Sequence, residues 1–256
     1  MSFIDGLWQP EELLKGLAHL IGPLELHDSL DSSNRRALHL AARGAAGPGC
    51  IVLARRQLAG RGRGNRPWHS PPGGLWFSLV LRPLHLDGLN LVAALAVVRA
   101  CARLGLPASL RWPNDVFVGP RKLAGVLAEG RLVGARPEFV VLGLGIDVNL
   151  QAEDFPEELR PIATSMAAEL GRPLDLAEIF RIVLEELDGL YTTFQEHGLA
   201  PLLGEVSASC STLGRRVQIW TGQTSEEALA VGLAPDGALL LEGGRTCYTA
   251  DHVVVL

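Results

Sequence analysis

The chain has 256 residues, of which 48% are hydrophobic and 20% charged, and its formal net charge is −5. That composition supports a packed core and excludes a disordered chain. The acidic balance argues against a general nucleic-acid binder, whose domain is normally basic. Cys50, Cys101, Cys210 and Cys247 stand far apart with no CxxC or CxxH spacing, so they read as scattered buried thiols rather than a structural zinc site. The first six residues have neither the basic nor the apolar region of a secretory signal. The apolar run 89–101 is interrupted by Arg99 and is too short to span a bilayer. A cytoplasmic protein with no membrane partner is the expectation.

Residues 10–20 predict an amphipathic helix, with Leu13, Leu14, Leu17 and Leu20 on one side. A short strand over 24–27 follows, then a polar turn rich in N-capping residues and a helix over 34–43. Residues 50–54 form an apolar strand that delivers Arg55, Arg56 and Gln57 to a glycine–arginine loop at 60–68. Strand 75–81 and an almost wholly apolar helix at 89–104 come next. Residues 110–118, 122–129 and 139–149 read as strands joined by short Gly/Pro turns. Helices are expected over 156–170 and 174–197, the second with a stripe from Ile179 to Phe194 at helical spacing. Strands and helices mingle without a βαβ repeat, which predicts an α+β fold with a mixed sheet. After Gly198 the short runs 214–220, 226–232, 237–242 and 251–256 alternate with glycine-rich turns, as in a small all-β barrel. The division falls near 208–213, giving domains 1–208 and 209–256.

Five stretches carry chemistry. In the loop Gly60-Arg61-Gly62-Arg63-Gly64-Asn65-Arg66-Pro67-Trp68, glycines free the backbone to wrap a ligand. Its arginines suit phosphate and carboxylate oxygens, and Trp68 offers a flat face. Taken alone, the loop also reads as a solvated basic surface. Arg111-Trp112-Pro113-Asn114-Asp115 sets an amide beside a carboxylate, or simply ends a strand. Lys122, seven residues after Asp115, faces the same cleft if the two strands form a hairpin, and is otherwise solvated. Gly143 and Gly145 inside an apolar strand imply a close approach to the backbone; the third glycine and following helix of a dinucleotide fingerprint are missing. Ser32-Ser33-Asn34 clusters polar groups at a helix start, where plain capping is the alternative.

In this order, Ser-Ser-Asn, Gln-x-x-Gly-Arg-Gly-Arg-x-x-Arg-x-Trp, Arg-Trp-Pro-Asn-Asp, Arg-Lys-x-x-Gly-Val-Leu and Gly-x-Gly-x-x-Val-Asn, the chain closely resembles the biotin–protein ligases. The resemblance covers the whole chain. It implies a mixed β-sheet catalytic domain covered by helices, followed by a small SH3-like all-β C-terminal domain. It also implies a two-step reaction, in which biotin and ATP give biotinyl-5′-adenylate and pyrophosphate, and the adenylate then acylates a lysine on the biotin carrier domain of a carboxylase.

Carried over residue by residue, the resemblance makes Arg61, Lys122 and Asp115 catalytic. Arg61 and Lys122 flank the biotin carboxylate and the α-phosphate, and Asp115 orients or deprotonates the incoming lysine amine. The biotin site comprises Ser32, Ser33, Asn34, Gln57, Gly60, Arg61, Gly62, Arg63, Lys122, Gly125, Gly143 and Gly145, the last three lying against the apolar part of biotin. The ATP site comprises Arg61, Arg63, Arg66, Trp68, Asn114, Lys122 and Asp147, with Mg²⁺ screening the triphosphate. The chain departs from the family pattern in Arg111 for Lys, Ser33 for Thr, and Asp147 for Asn. The loop 60–68, with only Pro67 and Trp68 as apolar anchors, reads as a lid that orders over the adenylate. Two rival functions remain. A lipoate or octanoyl transferase of the related fold lacks the Gly-Arg-Gly-Arg and Trp-Pro-Asn-Asp segments. A biotin-sensing regulator carries an N-terminal DNA-binding domain, whereas about 20 residues precede the catalytic fold here and no DNA partner is expected. Homodimerisation is compatible with the exposed sheet edges such a fold carries.

Overall fold

In the computed structural model, residues 8–133, 136–250 and 252–256 are described; the expectations for residues 1–6, and for Asp251 as the start of the last strand, fall outside them. The N-terminal helix is only α1 (Pro10–Leu13), shorter than the expected 10–20. Gly16 takes φ 84°, and the amides of Ala18, His19 and Leu20 donate to the buried Asp188 carboxylate at 2.7, 2.8 and 2.9 Å. A carboxylate takes the donors that a continuing helix would have used. Then come β1 (Leu24–His27), α2 (Ser33–Ala42), β2 (Ile51–Ala54), β3 (Leu75–Leu81) and α3 (Leu89–Arg103), each close to its expected bounds.

The single strand expected over 110–118 is instead a hairpin, β4 (Ala108–Arg111) and β5 (Asp115–Val118), in which Arg111 pairs with Asp115. Pro113 cannot donate to a ladder, so the chain turns there. The hairpin strands β6 (Arg121–Val133) and β7 (Arg136–Ile146) start earlier than expected. The helix expected over 156–170 shrinks to α4 (Met166–Leu170), capped by Ser165. Ahead of it the backbone pairs with β6 instead: the Lys122 amide donates to Ile162, and that of Thr164 to Lys122. Pro161 offers no amide for a helix. Helix α5 (Leu176–His197) starts behind the Asp175 cap, and α6 (Leu203–Ser209) follows.

The seven strands form one sheet in the order β1-β2-β3-β7-β6-β5-β4, parallel between β1 and β2 and antiparallel elsewhere. Side chains alternate between faces along a strand. Leu53, Phe77, Leu79, Leu142 and Leu144 share a core with α3 and α5, whereas Val52, Val80 and Val141 pack under α2. The fold is α+β, with a mixed sheet covered on both faces.

Five short strands close the chain: β8 (Arg216–Thr221), β9 (Thr224–Leu233), β10 (Leu239–Leu241), β11 (Arg245–Cys247) and β12 (His252–Val255). They form a separate antiparallel sheet in the order β11-β10-β9-β8-β12. Four strands were expected there; the three-residue β11 behind Gly243 and Gly244 is too short to leave an alternating pattern. This sheet is joined to the large one near the hairpin turn. The Trp112 amide donates to Thr212 Oγ1 at 3.0 Å, and its indole Nε1 donates to the Gly237 carbonyl at 2.9 Å. Among the described residues, no helix is long and apolar enough to cross a membrane.

Candidate active site

Register places the site before any side chain is considered. On the face that carries Val80 and Val141, β3 continues with Ser78 and Trp76, and β7 with Gly143, Gly145 and then Asp147. Strand β6 contributes Glu129, Leu127 and Gly125 in register with Val141, Gly143 and Gly145, and Asp115 pairs with Gly125. Helix α2 covers Val80 and Val141. Below it, the glycines leave a shallow floor, and a cleft of about 470 Å³ opens over that floor.

The glycine floor is approached closely, as expected, but the groups lying on it are the protein's own. A Cβ on Gly143 would fall 2.0 Å from Asn34 Oδ1; one on Gly145 would fall 2.5 Å from Trp68 Nε1; one on Gly125 would fall 3.2 Å from the Trp68 ring. The Asn34 amide is committed too. Its Oδ1 accepts from Ser78 at 2.5 Å, and its Nδ2 donates to Leu127 O and Glu129 Oε2 at 3.3 and 3.0 Å. Asn34 therefore braces the floor with both amide hydrogens already engaged.

Ser33 and Gln57 meet beside it. Gln57 Oε1 accepts from the Ser33 amide at 2.8 Å, Ser33 Oγ lies 2.7 Å from Ser78 Oγ, and Gln57 Nε2 donates to Ser70 Oγ at 2.8 Å. Ser32 caps α2, accepting from the Arg35 amide, and also lines the cleft.

The glycine–arginine loop is a small hairpin over this floor. Gly62 N donates to Arg66 O at 2.7 Å and Trp68 N to Gly60 O at 2.9 Å. A tight turn at Arg63–Asn65 puts Gly64 and Asn65 at φ 62° and 63°, values that glycine and asparagine tolerate best. Gly60 has no room for a side chain against Trp68 O and Ser70 Oγ. Arg61 reaches back to Glu129, at 3.2 Å. Arg63 donates to Thr249 Oγ1 of the C-terminal segment at 2.9 Å and approaches Asn114 Oδ1 at 3.5 Å. Arg66 donates to the Arg63 carbonyl at 3.2 Å and lines the cleft.

Across the cleft, Lys122 Nζ lies 2.7 Å from Asp115 Oδ1 and 5.1 Å from the Trp68 ring centre. The hairpin thus does bring lysine and carboxylate together. Asn114 is fixed by donation to Val126 O at 2.6 Å. Arg111 lies flat on Phe117, 3.5 Å from its centre, and burial lowers its pKa, with Asp115 opposing. Asp147 is 4% exposed, and its Oδ1 is buried without a hydrogen-bond partner. Burial raises its pKa well above the ordinary 3.8, against the pull of Lys122.

All the predicted site residues except Gly60 line the cleft, and several other groups stand in it or against it. Arg111, Val253 and Val254 also line it, and Glu129, Ser78 and Thr249 stand behind the lining, bonded to Asn34, Arg61 or Arg63; none of these was singled out as a site residue. Glu129 was reachable from period-two alternation, four residues beyond Gly125. Thr249 and the valines come from the far end of the chain, and no local pattern marks them. Asn149, the last residue of the glycine motif, holds the backbone of Leu174 through two hydrogen bonds of 2.8 and 2.9 Å, which makes it structural.

Comparison with known proteins matches residues 28–147 to the model of the biotin/lipoate A/B protein ligase family. The biotin–[acetyl-CoA-carboxylase] ligase of Paracoccus denitrificans is 34% identical, over 87% of this chain and 96% of its own length. The bifunctional ligase/repressor BirA of Bacillus subtilis is 36% identical, over 88% of this chain and 72% of its own length. Among solved structures, the biotin protein ligase of Aquifex aeolicus in complex with biotin and ATP superposes with a TM-score of 0.80 at 30% identity, covering 91% of this chain and 99% of that one.

Proposed function

The chain belongs to the biotin–protein ligases, and from that premise we propose how its cleft carries out ATP-dependent biotinylation. Biotin and ATP are the substrates, and the reaction passes through biotinyl-5′-adenylate to a lysine of a biotin carrier domain. The observation that carries the assignment of roles is the juxtaposition of Lys122, Asp115 and the lid arginines around Trp68 on a glycine floor.

Joining a carboxylate to an α-phosphate concentrates negative charge, which fixed cations stabilise best in a site from which water is excluded. Lys122, Arg63, Arg66 and Arg111 all border the cleft. The Trp68 ring, seated on Gly145 and Gly125, offers a platform for adenine, and Ser33 with Gln57 suits the donor and acceptor groups of a ureido ring. Gly60, Gly62, Gly143 and Ser32 complete the biotin side. Asn34 and Arg61 serve it from fixed positions. In the second step Asp115, paired with Lys122, is placed to accept a proton from the incoming amine.

Magnesium fits as an ion brought in with the triphosphate. No cluster of three histidine, cysteine or acidic side chains occurs among the described residues, and Mg²⁺ characteristically uses one or two protein oxygens plus phosphates and water. Asn114 Oδ1 and the unpartnered Asp147 Oδ1 are the oxygens available to such an ion, which would offset phosphate charge. Residues 1–208 form the catalytic domain in this reading and 209–256 an SH3-like module whose Val253 and Val254 complete the wall and whose Thr249 holds Arg63. A cytoplasmic location, a carboxylase carrier and a homodimer complete the picture. Lys122→Met tests the roles: biotin-dependent pyrophosphate release should fall by about 10²–10³ with the fold intact, and a loss under tenfold would refute the placement of Lys122 at the reacting phosphate.

A further inference from the structure

Behind the cleft wall lies one acidic group that the proposed chemistry does not use. Glu129 sits on β6, one pleat beyond Leu127, and does not itself border the cleft. Both its oxygens accept from Arg61 Nη2, at 3.3 and 3.2 Å, and Oε2 also accepts from Asn34 Nδ2 at 3.0 Å. Arg61 and Asn34 do border the cleft, one from the lid and one from α2. Arg61 Nη1 donates to Asn65 Oδ1 of the lid at 3.3 Å.

From Glu129 the bonding runs on without a break. Asn34 Oδ1 receives Ser78, Ser78 meets Ser33, and Ser33 meets Gln57. Ser78 gives its single proton to Asn34, so the one Ser33 hydroxyl proton is shared between Ser78 Oγ at 2.7 Å and Gln57 Oε1 at 3.1 Å. Glu129 is the only charged member apart from Arg61, and it is the junction at which lid, helix and sheet join. Bonds to an ionised acceptor are stronger than neutral ones.

We infer that Glu129 is a positioning residue for the biotin end of the site, acting through Asn34 and Arg61 to hold the biotin wall and the root of the lid in one arrangement. This rests on the reading of that end as the biotin site. Three consequences follow. Asn34 keeps its amide oriented, with oxygen toward Ser78 and nitrogen toward the carboxylate, so Ser78 stays a donor to Asn34 and an acceptor toward Ser33. The Arg61 guanidinium is drawn to the edge of the cleft, leaving Lys122 and Arg63 to meet the reacting anions. And the lid is tethered to β6 at Arg61, which also holds Asn65 at the lid tip.

The test is Glu129→Gln. The amide has the same shape, but its nitrogen must face either Arg61 or Asn34 donor to donor, so at least one contact is lost. Loss of a charge-assisted hydrogen bond at a partly exposed site should raise the KM for biotin on the order of tenfold, with the KM for ATP and kcat within about twofold of wild type. Glu129→Asp, which keeps the charge, should recover part of the biotin KM. In an Arg61→Gln background, Glu129→Gln should cost markedly less than it does alone, because the partner is already gone. Wild-type enzyme assayed alongside with a carrier domain separates the two claims. If wild type fails to label the carrier, the functional reading falls. If wild type labels it and Glu129→Gln keeps the wild-type biotin KM, raises both KM values equally, or multiplies fully with Arg61→Gln, the positioning role falls.

Discussion

Gly143→Ala is the sharpest small perturbation of the floor. The new methyl would sit 2.0 Å from Asn34 Oδ1, 2.8 Å from its Cγ and 3.1 Å from Nδ2, so the amide must retreat by more than 1 Å. It has nowhere easy to go, because Ser78, Leu127 and Glu129 each hold it and its backbone lies in the first turn of α2. Overpacking of a close contact costs about 1–3 kcal/mol, and a disrupted neutral hydrogen bond adds roughly 1 kcal/mol. A total of about 2–4 kcal/mol corresponds to a Tm lower by roughly 5–15 °C in a chain of this size. The KM for biotin should rise with it, since Ser33 and Gln57 share the network. Thermal unfolding and initial rates at varied biotin provide the assay, with Gly189→Ala in α5 as control. That glycine is exposed, helical and free of neighbours within 4 Å, so its alanine variant should gain about 0.5–1 kcal/mol. A Gly143→Ala enzyme with wild-type Tm and biotin KM would refute the placement of Asn34 on the glycine floor.

Other substitutions probe separate parts of the cleft. Burial raises the pKa of Asp147; because its folded pKa is raised, the stability tied to its protonated form is complete below pH 3.8 and is lost as pH rises through the folded value. Asp147→Asn cannot ionise, so its stability advantage over wild type should grow with pH in urea titrations, and an advantage that shrinks with pH contradicts the assignment. Asp115→Asn should slow transfer from preformed adenylate to a carrier by about 10²–10⁴; single-turnover transfer at the wild-type rate removes Asp115 as the base. Arg63→Gly cuts the link between lid and Thr249 and should release adenylate to label lysines of a bystander protein, which mass spectrometry would detect; a clean bystander beside full carrier activity would count against a lid that retains adenylate.

Much of this cleft could be read from the chain because its parts are short, polar and out of place where they stand. Arginines between glycines, an amide beside a carboxylate, and glycines within an apolar strand each break a local rule, and sites are where such breaks concentrate. Period-two alternation then fixes which face they share. What could not be read depends on contacts made at long range. The expected helix at 10–20 gives way because Asp188, about 170 residues later, accepts its amides. The helix expected after Pro156 gives way to pairing with Lys122. The close approach to Gly143 and Gly145 was legible, but not that Asn34 and Trp68 make it, because side-chain partners across four elements leave no spacing signal.

Labelling of a carrier domain by the wild-type protein tests the central claim most directly. With Mg-ATP and a biotin carrier domain, biotin should become bound to a single carrier lysine, in proportion to pyrophosphate released, and lipoate in its place should give no labelled carrier. Labelling by lipoate and not by biotin would contradict the account.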